Sequence, residues 1–101
     1  MMGGCIVSKN IIEKKGVLKW CVREKAVNDL DNGWRFFSDI DTDEYLSNSD
    51  NMCIYNYDTI VEIEPAILSI YNLPIGTDLA LIKENGEIYF IDNATGNKIE
   101  F

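Results

Sequence analysis

The chain has 101 residues, 47% of them hydrophobic and 26% charged, a composition that predicts one folded domain rather than a disordered segment. Its net charge of −8 disfavours nucleic acid, whose phosphates need a basic surface. Histidine is absent, which removes the commonest general base and metal ligand, and no stretch approaches the ~18 apolar residues of a membrane span.

Taken in chain order, the elements are short and mostly β. Cys5-Ile6-Val7 reads as a strand, too short an apolar run for a signal sequence, followed by a turn or one loose helical turn through Asn10–Glu13. Val17–Arg23 alternates, placing Leu18, Trp20 and Val22 on one face and Lys19, Cys21 and Arg23 on the other. Trp20 is therefore expected in the core, where truncating an aromatic typically costs ~3–5 kcal/mol. Residues 28–33 read as a polar loop before a strand over Trp34–Phe37. Thr42 is placed to cap a short helix with Asp43 and Glu44 in its first turn, where the helix dipole favours anions. A strand over Met52–Tyr55 precedes a helical stretch that begins near Asp58 and is restarted or interrupted at Pro65. Asn85-Gly86 is the strongest hairpin signal, since a type I′ turn needs positive φ twice. A two-residue turn pairs Ile82 with Tyr89 and Leu81 with Phe90, which makes both faces apolar and predicts cover on both sides. The sum is an α+β fold, a mainly antiparallel sheet of about five short strands with one or two short helices.

Chemistry is sparse. Cys5, Cys21 and Cys53 form no Cys-x-x-Cys pair, so neither a disulfide framework nor a zinc ribbon is expected. Cys21 lies between Lys19 and Arg23, whose charge would lower a thiol pKa, but a small half-buried strand residue explains it better. Asp39-Ile40-Asp41-Thr42-Asp43 resembles the start of a calcium loop. However, Glu44 stands where that loop needs glycine, and Asp50 where it needs a bidentate glutamate. No metal, cofactor or catalytic residue is therefore assigned. Charge is uneven: residues 1–28 carry six basic and two acidic side chains, residues 29–101 three basic and fifteen acidic. Such an acidic surface suits docking on a basic partner.

Trp20-Cys21-Val22-Arg23-Glu24, Asp31-Asn32-Gly33-Trp34-Arg35-Phe36-Phe37 and Asp43-Glu44-Tyr45-Leu46 together resemble the signature of a family of small bacterial proteins. That family is proposed as an immunity class, class thirty-three, of polymorphic toxin systems. The resemblance covers residues 5–91. The chain departs from the pattern at Asn32, where the family has serine, and at Asp39 and Asp41, where it has glycine followed by glutamate. The resemblance implies binding and neutralisation of a toxin, and no catalytic residue comes with it.

These readings converge on a non-enzymatic, cytoplasmic binding protein of one domain, a monomer or weak dimer, with a basic protein partner and no role on nucleic acid or membranes. The candidate partner-binding residues are Asp31, Trp34, Arg35, Asp39, Asp41, Asp43, Glu44 and Tyr45. Arg23, Arg35, Asp31 and Glu24 are expected close enough to form ion pairs. A small ligand-binding domain or enzyme with a carboxylate-based site is the alternative.

Overall fold

In a computed structural model, which describes residues 2–101, Asn85 and Gly86 take φ of 51° and 79°, as a type I′ turn requires. They join β5 (Asp78–Glu84) to β6 (Glu87–Asp92), and Ile82 pairs with Tyr89 and Leu81 with Phe90. The remaining strands are β1 (Gly4–Ser8), β2 (Leu18–Arg23), β3 (Asp31–Ser38) and β4 (Met52–Asn56). They lie in the order β4-β1-β3-β2-β5-β6. The expected α+β sheet is thus present, with six strands, and it is mixed: β1 and β3 are parallel while every other pairing is antiparallel.

The parallel pair arises because β3 enters between β1 and β2. The link from β1 to β2, helix α1 (Lys9–Ile12) and the turn after it, must therefore arch over the C-terminal end of β3. Helix α2 (Asp43–Leu46) begins at Thr42, whose hydroxyl accepts from the Tyr45 N–H at 3.1 Å. Helix α3 (Tyr57–Ile63) stops at Glu64, and Pro65 starts a 3-10 helix to Ile70, as suits a residue that cannot donate but fits a first helical turn. Glu64 is buried and pairs with Lys83 on β5, fixing this break against the sheet.

The core lies on one face of the sheet only. Val7, Cys21, Trp34, Phe36, Leu79, Leu81 and Phe90 point towards Tyr57, Ile60, Ile67 and Ile70. Trp34 stacks on Phe36 at 6.0 Å and its indole donates to the Tyr71 carbonyl at 3.2 Å. Arg23 sits over the Trp34 ring and donates to the carbonyls of Asn32, Tyr71 and Leu73, tying the end of the helical layer to β3.

Three expectations change here. Trp20 is not core: it is 36% exposed while Leu18 and Cys21 are buried. The register shifts between Leu18 and Trp20, and such a bulge breaks the alternation, so residues three apart reach the same face. Residues 31–33 are not loop but the start of β3, where Asp31 and Arg35, four apart, pair with Gly4 and Ile6, two apart. The turn chemistry of Asp31-Asn32-Gly33 makes an irregularity inside a strand rather than a connection. Finally, the β5–β6 hairpin is covered on one side: Leu81 and Phe90 are buried, whereas Ile82 and Tyr89 stay half-exposed opposite the helices.

Candidate functional site: the open sheet face and its acidic border

Two polar clusters frame the face that the helices leave free. The first holds the arch of the β1–β2 link over β3. Asp41 accepts from Ser8 Oγ (3.0 Å), Asn10 Nδ2 (2.8 Å), Ser38 Oγ (2.6 Å) and the Ser38 N–H (2.7 Å). Asp39 accepts from the Val17 N–H at 2.8 Å, and its own N–H donates to the Val17 carbonyl. Burial pushes the Asp41 pKa up, but the bonds from Ser38, Asn10 and Ser8 outweigh it and hold the carboxyl below its ordinary range. Hydrogen bonds to a charged group contribute about 1.5–3 kcal/mol. Asp41→Ala is therefore expected to destabilise the fold by about 2–3 kcal/mol, measurable by urea unfolding; a loss under 0.5 kcal/mol would mean the arch does not depend on it.

The second cluster sits on β3 itself. Arg35, 4% exposed, meets Asp31 through both terminal nitrogens at 2.9 Å and Glu24 at 3.2 Å. Asp31 also accepts from the backbone N–H groups of Val27 and Gly33. The Arg35 bond, with those of Val27 and Gly33, holds the Asp31 carboxyl far below the usual carboxylate range despite its burial. Arg23, expected in this network, bonds to carbonyls instead.

Between and beside these clusters runs a largely apolar surface. Register puts Ile54 opposite Ile6, and both on the side of Arg35 and Val22. Trp20 lies opposite Phe37 and Ala80, Ala80 opposite Ile91, and Ile82 opposite Tyr89. None of these side chains joins the core cluster. The buried apolar residues of the helical segments all belong to that cluster, and α2 buries nothing. At the β1–β4 end the surface opens into a cleft of about 290 Å³ between Ile6, Ile54, Val27 and Leu30. Ile54 and Leu30 are 78% and 82% exposed.

The expected site residues divide sharply. Trp34 is wholly buried in the core, and Arg35 and Asp31 bind each other beneath the face. Asp39 and Asp41 hold the arch. Asp43 and Glu44 are exposed on the first turn of α2, and Tyr45 is half-buried beside them. Sequence reasoning missed the open-face residues Ile6, Val22, Ile54, Ile82 and Ile91. The signal that could have found them was the hairpin apolar on both faces in a chain with too few helical residues to cover both.

All three thiols are shifted up, away from the thiolate, with burial as the largest cause. Burial pushes Cys5 up to about 12 and raises Cys21 as well, so Cys21 gains nothing from its flanking cations. Among the described residues no helix is long and apolar enough to cross a membrane. A family model described as the Immunity protein Imm33 domain matches residues 5–92, a span that runs from β1 to the end of β6. No curated protein and no solved structure matches the chain.

Proposed function

The chain belongs to the Imm33 immunity protein domain family, and from that premise we propose that it is a non-enzymatic binding protein that neutralises a bacterial toxin by occupying part of its surface. The family match over nearly the whole sheet carries this reading. The absence of histidine and the burial of the Cys5 and Cys21 thiols, which raises their pKa, support binding over catalysis. Three unpaired cysteines suit a reducing compartment, so the cytoplasm is the proposed place of action. The net charge of −8 favours a basic toxin, drawn in by the protein's field.

Co-expression with the protein encoded immediately upstream tests the proposal. Host growth should be rescued, and the two purified proteins should co-elute as a complex. Failure of both rescue and complex formation would sink it.

Asp43 and Glu44 are the acids of the 39–44 segment free to act on a partner, since Asp39 and Asp41 are engaged within the fold. Exposed charges mainly raise association rates and are screened over a Debye length of about 8 Å in physiological salt. Neutralising both (Asp43→Asn, Glu44→Gln) should slow association with the toxin about twofold to fivefold at low salt and flatten its salt dependence. Stopped-flow mixing at two ionic strengths reads this directly; an unchanged rate and slope would assign these acids to solubility alone.

A further inference from the structure

We propose that the toxin docks on the open face of the sheet, with Trp20 and Ile82 near the centre of the contact and the cleft beside Ile54 and Leu30 receiving an anchoring side chain from the toxin. This rests on the toxin-binding reading above and adds the surface. The argument starts from packing. A six-stranded sheet with helices on one side leaves its other side to water, and antiparallel sheets that face water normally turn polar side chains outward. Here Ile6, Val22, Phe37, Trp20, Ile82 and Ile91 stand on that side on five strands, with Phe37, Trp20, Ala80 and Ile91 in one cross-strand row and the buried Arg35 between Ile6 and Val22. Trp20 is 36% exposed and Ile54 78%. A row of exposed and half-exposed apolar side chains on a sheet face without a covering layer is the kind of surface that partners use, and exposed aromatics are the residues that anchor an interface.

Charge decides the occupant. The far end of the face carries Glu84 directly opposite Glu87; Glu84 accepts from the Tyr89 hydroxyl at 2.6 Å and Glu87 lies 3.9 Å from Lys98, so two carboxylates meet one cation there. Asp78 lies opposite Val22, and Glu24 flanks Arg35 with 62% of its side chain exposed. The cations at this surface, Lys19 over the Trp20 ring and Lys98 over the Tyr89 ring, are fewer. A second copy of the chain would bring acid against acid, and −8 against −8. The complementary occupant is a protein whose apolar patch is bordered by lysine and arginine, which fits the basic toxin.

Trp20 provides a probe in the unaltered protein, because Trp34 is the only other tryptophan and is fully buried. Acrylamide should quench the free protein through Trp20, and adding the purified upstream gene product should protect it severalfold. Trp20→Lys and Ile82→Lys should each weaken binding about tenfold or more with the far-UV circular dichroism unchanged. Leu68→Lys, on the helical side, should bind as the wild type does. A complex that forms while Trp20 stays quenchable, or that tolerates both lysines, would overturn the docking surface and leave the toxin-binding reading standing. Protection that rises with protein concentration and without toxin would mean self-association and would overturn it too. Absence of any complex would remove the toxin-binding reading and this one with it.

Discussion

Gly33→Ala should destabilise the protein by about 2–5 kcal/mol, a large share of the stability of a fold of this size. Gly33 has φ of +89°, where an L-residue is strained by about 1–2 kcal/mol. A methyl group there would also point directly into the Glu24 carbonyl oxygen, with the carbonyl carbon at 3.3 Å. That oxygen cannot move away freely, because the Glu24 N–H donates to the Gly33 carbonyl at 2.8 Å and the Glu24 carboxylate holds Arg35. Overpacking against backbone adds about 1–3 kcal/mol to the strain. Urea unfolding followed by circular dichroism measures the sum. A loss below about 1 kcal/mol would show that the β2–β3 connection relaxes and that Gly33 is not fixed by Glu24. Gly86→Ala makes a useful comparison: φ there is +79° but no atom lies within 4 Å of the added carbon, so only the strain should appear.

The contrast between these glycines also shows what could be read from the sequence. Asn85-Gly86 was legible because a two-residue turn is a local matter: its residues dictate positive φ, and the register from Glu84 to Leu79 follows without further information. Thr42 and Pro65 were legible for the same reason. Gly33 was not, since the atom that excludes a side chain comes from Glu24, nine positions earlier, and only the assembled strands bring it there. Trp20 failed through a single bulged residue, whose effect inverts the face of everything after it. The acidic segment was read by charge, but charge does not say which carboxylates find donors. Asp41 meets Ser8, Asn10 and Ser38 because β3 inserts between β1 and β2, an order of strands that no local pattern encodes. The open face was missed for a related reason. Apolar residues on both sides of a strand suggest two cover layers, and the absence of the second layer is a property of the whole fold.

The ion pair beneath that face should respond to mutation asymmetrically. Arg35 and Asp31 have side chains only 5% and 8% exposed, and removing one partner of such a pair typically costs about 3–5 kcal/mol because the other charge stays buried. Asp31→Ala should reach that range. It leaves a guanidinium that cannot lose its proton, with the exposed Glu24 as its remaining carboxylate partner. Arg35→Met should cost less, about 1–3 kcal/mol. The orphaned Asp31 keeps the N–H groups of Val27 and Gly33 and can also take up a proton. Asp31→Asn combined with Arg35→Met removes both charges, and should be more stable than Asp31→Ala alone. The pH dependence follows from the same pair. Because Arg35 depresses the folded-state pKa of Asp31, the stability it gives is fully present above the unfolded value of about 3.9. That stability is lost as pH falls from there towards the folded value. Asp41, also depressed, loses its share in the same direction. Wild-type stability should therefore fall from about pH 5 downwards, and Arg35→Met should flatten that slope without abolishing it, since Asp41 still titrates. Urea midpoints at pH 7, 5, 4 and 3 for the four proteins distinguish these outcomes. If Asp31→Ala proved milder than Arg35→Met at pH 7, Glu24 would be neutralising the guanidinium from solvent, and the pair would not be the buried clamp that its geometry describes.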